Sequence, residues 1–141
     1  MSHDPLIGQQ LGDYLIVDLL GHGGMARVYK GIDKKLNRYA AVKVTDASAV
    51  SDHDLEEYRM RFRNEARAIA RLNHPNIVSV YQFGDKDQLY YMAMSFVDGQ
   101  DLRAILKSYI RRNLFMPHDE ILRFIRDMAS ALDYAHSEGV I

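Results

Sequence analysis

The chain has no cysteine, no tryptophan and only three prolines in 141 residues. Without cysteine there is no disulfide framework and no thiolate metal site. Charge of one sign is missing too, since 18 Lys and Arg stand against 19 Asp and Glu for a formal net charge of -1. That balance leaves no broad basic surface, which argues against binding along a nucleic acid despite nine tyrosines. No apolar stretch reaches the length that spans a bilayer, and Met1-Ser2-His3-Asp4-Pro5 lacks the basic-then-apolar order of a signal peptide. The expectation is a cytoplasmic piece with no membrane segment, any anchor belonging to a downstream part of a longer parent. The six histidines show no metal-ligand spacing, so no metal site is expected, and His74 and His136 read as structural.

What remains has globular proportions, 48% hydrophobic and 26% charged, enough for one ordinary domain core. Leu15 to Leu20, Met25 to Ile32, Tyr39 to Val44, Ile77 to Phe83 and Leu89 to Val97 are rich in β-formers and read as five strands. Gly84-Asp85-Lys86-Asp87 reads as the turn between the last two. Between the third and fourth, Ser51 or Asp52 can cap a helix running to about Leu72, acidic early and basic late as the helix dipole favours. Its apolar stripe is Leu55, Tyr58, Phe62, Ala66 and Ile69, with Glu65 on the edge. Arg59, Arg61, Arg63, Arg67 and Arg71 read as a solvated face pairing with local acids. After Asp98-Gly99 come a short amphipathic helix and, past Pro117, a longer one carrying Ile121, Ile125, Met128 and Leu132 on one face and closed by Gly139.

The chemistry is concentrated near the start. Gly21-His22-Gly23-Gly24-Met25-Ala26-Arg27-Val28 joins two strands, and glycines there would let backbone N–H groups approach a phosphate closely. Lys43 follows in Ala41-Val42-Lys43-Val44, where alternation puts Ala41 and Lys43 on one face and Ala40, Val42 and Val44 on the other. A plain hairpin turn would explain the glycines alone, but not the lysine and Glu65 with them. A Rossmann loop needs a helix directly after the glycines, whereas Val28 to Asp33 reads as strand and turn; a Walker loop needs Gly-Lys-Ser/Thr, which is absent.

From about Leu11 to Ile141 these motifs resemble the first part of a protein kinase domain, most closely the eukaryotic-like serine/threonine kinases of bacteria. Leu20 to Val28 is similar to the kinase glycine-rich loop, Ala41-Val42-Lys43 to its third-strand lysine motif, and Glu65 to its helix-C glutamate. Leu72 to Val78 resembles the turn after helix C, Met94 to Gly99 the hinge, and Ala131 to Ile141 the approach to the catalytic loop. The implied fold is α+β: an N-terminal lobe of a five-stranded antiparallel sheet plus helix C over residues 1–97, then hinge exit and two helices of a truncated C-terminal lobe over 98–141.

The resemblance also implies roles. Lys43 would hold the α- and β-phosphates of ATP with Glu65 fixing its direction, under a loop of Gly21, His22, Gly23, Gly24, Met25 and Ala26. Leu20, Val28, Ala41 and Met94 would wall the adenine, Ser95 and Val97 would read its edge by backbone, and Asp101 would meet the ribose. Ala26 stands where the family has its third loop glycine. His-Arg-Asp and Asp-Phe-Gly are absent, and with them the base and the Mg2+ ligands that an intact parent would use on a protein substrate. The expectation is therefore an ATP-binding part that is inactive alone. A non-catalytic nucleotide-binding or interaction module is the alternative, and a fragment that binds no nucleotide is a third reading. Of the family's stacked regulatory residues only Ile69 and Val80 have counterparts here, which would leave helix C poorly braced. The last helix would need self-association to cover its apolar face, or would be loosely held.

Overall fold

The computed structural model describes residues 4–24 and 26–141. Six strands form one antiparallel sheet in the order β1-β2-β3-β4-β6-β5: β1 Gln10–Leu11, β2 Tyr14–Gly23, β3 Ala26–Asp33, β4 Arg38–Asp46, β5 Val80–Lys86 and β6 Leu89–Ser95. The helices are α1 Asp52–Ala70, α2 Leu102–Arg111 and α3 His118–Ser137. The α+β class expected from the sequence is found, with one strand more. That strand, β1, is two residues long and pairs only with Tyr14 and Leu15, too short for alternation to register.

The chain divides into two compact units, the first holding residues up to Asn73 with Val78–Phe96, the second His74–Ile77 with Val97–Ile141. In the first, strand periodicity separates two faces of the sheet. Tyr14, Ile16, Tyr29, Ala40, Val42, Val44, Tyr91 and Ala93 form the buried core on one face, and Leu6, Ile7 and Leu11 from the N-terminal segment cover it. The segment is fastened by Asp4, whose carboxylate accepts from the Tyr29 hydroxyl at 3.0 Å and pairs with Arg27 at 3.3 Å. The opposite face receives α1, where Tyr58 and Phe62 meet Tyr90 edge-on at ring-centre distances of 5.0 and 5.2 Å.

The turn between β5 and β6 lies later than the sequence suggests. It is Asp87–Gln88, both at positive φ (50° and 65°), with Lys86 paired to Leu89. Gly84 belongs to β5 instead, because a Cβ there would come within 2.7 Å of the Tyr91 hydroxyl. The strand also begins at Val80, so Ile77 falls outside it. For α1 the N-cap is Ser51, whose hydroxyl accepts from the Asp54 amide at 3.3 Å and donates to its carboxylate at 2.6 Å. Arg59 and Arg63 reach Asp85, at 3.3 and 3.9 Å, and Arg61 reaches Glu57 at 2.8 Å.

Burial is the leading reason that the phenols of Tyr29, Tyr58 and Tyr91 titrate above the ordinary value near 10. Raised folded-state values mean stability that is whole below pH 10 and is lost as pH rises through them. Urea midpoints should hold steady up to about pH 10 and fall beyond it; a midpoint unchanged well into the alkaline range would contradict this burial.

Within the second unit, His74 stacks on Tyr134 with ring centres 5.4 Å apart, contacts Ser130 Oγ at 3.0 Å and accepts from the Asn76 amide. Ile121, Ile125, Met128 and Leu132 of α3 are exposed. No helix among the described residues is long and apolar enough to cross a membrane.

Candidate nucleotide site

Strand register decides which of the expected residues share a face. Gly21 pairs with Val28, Val28 with Lys43 and Lys43 with Met92, a row across four strands. One row along, Lys30 pairs with Ala41 and Ala41 with Met94. Directly opposed residues point to the same side of a pleated sheet, so Val28, Ala41, Lys43 and Met94 stand together on the face that carries α1. Val42 and Val44, between them in sequence, are buried on the other face. Leu20 sits in a bulge, where the β2–β3 register shifts between Leu19 and Gly21, and is exposed. The bulge frees Leu20 from strict alternation.

At Gly24 φ is +51°, a conformation that favours glycine. Gly21 and Gly23 have no positive φ, and a Cβ added to either would meet nothing within 4 Å. Among the described residues no packing asks for glycine at those two positions. His22 pairs with Arg27, which places it on the core side of the sheet, while Gly23 pairs with Ala26. His22, Gly24 and Ala26 line a cavity of about 910 Å3 beneath Asp4–Leu6, with Leu19 and Val44 among its walls. Lys43 and Glu65 do not line it, so this cavity is distinct from the lysine face. Met25 lies outside the described residues.

Lys43 and Glu65 are both exposed, and among the described residues neither takes part in an ion pair. The helix is anchored elsewhere, through Tyr58, Phe62 and the Arg59–Asp85 pair. Glu65 lies near enough to Tyr58 to be a minor cause, after burial, of its raised pKa. At the end of β6, the Ser95 amide donates to Ser79 O at 2.8 Å and its hydroxyl accepts from the Ser79 amide at 3.0 Å, so the strand is fixed up to its last residue. Arg59–Asp85, the bulges and this Ser79–Ser95 exchange had no separate signal in the sequence.

In the second unit Val97 is exposed, and Asp101 is the N-cap of α2, its Oδ1 accepting from the Ala104 amide at 2.7 Å. One carboxylate oxygen is thereby committed to the helix. Among the described residues no three His, Asp or Glu gather in a way that could hold a metal ion.

Residues 14–141 match the protein kinase domain family. The chain is 37% identical over 137 residues to the serine/threonine-protein kinase PrkC of Bacillus subtilis, covering 96% of this chain and 20% of that protein. It is 35% identical over 136 residues to the serine/threonine-protein kinase PknD of Mycobacterium tuberculosis, covering 96% and 19%. Among solved structures, the M. tuberculosis PknI kinase domain superposes with a TM-score of 0.77 at 33% identity, over 94% of this chain and 51% of that one. Rad53 in complex with AMP-PNP gives 0.74 at 29% identity, over 90% of this chain and 31% of that one. The chain thus spans about a fifth of the curated kinases it matches and about half of the PknI domain.

Proposed function

Because this chain belongs to the protein kinase domain family, we propose that its first unit holds ATP on the lysine face of the sheet, for a parent that phosphorylates serine or threonine on proteins. The observation that carries this reading is the shared face of Val28, Ala41, Lys43 and Met94 beside Gly21 and Gly23, which no packing among the described residues requires. Apolar side chains of modest size suit the flat adenine ring, and an ammonium without an ion-pair partner suits phosphate oxygens. Lys43 would take the α- and β-phosphates, and the backbone at Gly21, Gly23 and Gly24 would lie over them. Leu20 would close the adenine from the bulge. Ser95 would read the base edge through its backbone carbonyl. Such a reading places the chain in the cytoplasm, where ATP is supplied.

Neither His-Arg-Asp nor Asp-Phe-Gly occurs in the sequence, so on this reading Mg2+ would be held by residues of an intact parent. Phosphoryl transfer depends on positioning and charge neutralisation, and these residues supply only the triphosphate half of that work. The separation of Lys43 from Glu65 favours a second reading, a nucleotide-binding module without catalysis.

Titration of the 141-residue chain with AMP-PNP, followed by amide NMR, tests the proposal. Gly23 and Ser95 should shift together, with a dissociation constant on the order of millimolar. Unmoved amides at both positions at saturating nucleotide would rule the site out. Labelled-phosphate transfer from ATP should not exceed that of Lys43→Met; transfer above that control would sink the non-catalytic reading and the expectation of inactivity alike.

A further inference from the structure

β6 ends at Ser95, and the chain leaves the first unit one residue later, after Phe96. The carbonyl that would read the base edge belongs to the peptide between these two residues. A peptide group is planar, so the direction of its carbonyl is fixed only when the backbone is held at both ends. The Ser79–Ser95 exchange holds the near end, through the Ser95 amide at 2.8 Å and its hydroxyl at 3.0 Å. Strand pairing stops there, since the last residue of β6 in register is Ser95, opposite Ala40.

Phe96 is held by its ring instead. The ring packs against Tyr39 with centres 6.5 Å apart and planes tilted by 55°. Lys30 Nζ lies over both rings, 4.3 Å from the centre of Tyr39 and 4.9 Å from that of Phe96. Both distances fall within the reach of about 6 Å at which a cation is drawn to an aromatic face. Among the described residues Lys30 takes part in no ion pair, so its charge is turned to the rings and not to a carboxylate. Register sets this cation beside the site. Lys30 pairs with Ala41 and Ala41 with Met94, two of the residues that would wall the adenine, and Tyr39 shares the face of Ala41 by alternation.

We propose that Lys30 is a positioning residue for base recognition: by drawing the Phe96 and Tyr39 rings together, it holds the far end of the Ser95–Phe96 peptide and aims its carbonyl at the base. The inference rests on the nucleotide reading above and adds to it a residue that acts through Phe96. Adenine offers an exocyclic N–H to such a carbonyl, and a hydrogen bond weakens steeply once its angle is lost. Phosphate binding at Lys43 asks nothing of that carbonyl, so the two halves of the nucleotide should respond differently to Lys30.

Two titrations of the 141-residue chain, followed by amide NMR, provide the test: one with AMP-PNP, the other with inorganic tripolyphosphate, which has no base. Lys30→Met keeps an apolar stem of similar length and removes the charge. It should weaken AMP-PNP roughly threefold, the loss of a partly exposed cation–π contact, and leave tripolyphosphate unchanged. The Phe96 amide, which follows the carbonyl, should shift with AMP-PNP in the unsubstituted chain and by less in the variant. Tyr39→Leu, which keeps the charge and removes one ring, should repeat the loss. Lys30→Arg should restore binding, because a guanidinium also stacks on aromatic faces. Equal weakening of both ligands by Lys30→Met would make Lys30 a general cation for phosphate and overturn the proposal. So would AMP-PNP binding that Lys30→Met leaves intact, or a loss that Lys30→Arg does not restore. The nucleotide reading is decided separately, on the unsubstituted chain: if Gly23 and Ser95 stay unmoved there, both fail, whereas binding indifferent to Lys30 removes this inference alone.

Discussion

Tyr29→Ala is expected to lower the unfolding free energy of the first unit by about 3–5 kcal/mol, read as a reduced urea midpoint. The side chain is fully buried at the centre of the sheet's core face, between the β2 and β4 neighbours Leu19 and Val42. Its hydroxyl also donates to the Asp4 carboxylate, which ties the N-terminal segment over that core. Alanine removes both the packing and that hydrogen bond. Tyr29→Phe separates them, because it keeps the ring and loses only a hydrogen bond to a charged acceptor, for about 1.5–3 kcal/mol. Domains of this size are stable by about 5–15 kcal/mol, so the alanine variant forfeits a large share. A loss within about 1 kcal/mol, the range of ordinary surface changes, would show that this face is not the core.

The same region marks where sequence reasoning succeeds and where it stops. Alternation in Ala40 to Val44 assigned both faces of β4 correctly, because period-two patterning is local and strand sterics enforce it. A helix cap at Ser51 or Asp52, of which the structure uses Ser51, and Gly139 as a helix end were legible for the same reason, each being decided within a few residues. Gly84 was not, since a glycine before Asp-Lys-Asp has a turn's composition and the cause of its presence, the Tyr91 hydroxyl, comes from the neighbouring strand. Asp4 gave no signal either. Its β3 partners, Arg27 and Tyr29, are 23 and 25 residues away, and nothing in the local pattern of Asp4-Pro5-Leu6 announces that the segment covers a sheet.

At the candidate site the division is finer. Parity put Ala41 and Lys43 on one face of β4 from the sequence alone, whereas the cross-strand register that sets Val28 and Met94 beside them is seen only in the sheet. Whether Glu65 reaches Lys43 depends on the roll and tilt of a helix, which packing decides. Tyr58 and Phe62 on Tyr90, with Arg59 on Asp85, fix that orientation, and a spacing of residues along the chain does not report it.

Lys43→Met and Glu65→Gln should therefore have unequal effects on AMP-PNP binding. Loss of the ammonium removes a charge-assisted hydrogen bond to phosphate worth about 1.5–3 kcal/mol, so affinity should fall by about tenfold or more. The carboxylate has no ion pair with Lys43 to lose, and a negative charge near a triphosphate is repulsive; Glu65→Gln should leave affinity unchanged or slightly tighter. Added salt should shrink the Lys43 effect, as screening of an exposed charge requires. Equal losses in the two variants would mean that nucleotide draws α1 across the sheet and assembles the pair, with the Arg59–Asp85 contact giving way. Asp85→Asn would then raise affinity, because the bound arrangement would no longer compete with an existing ion pair.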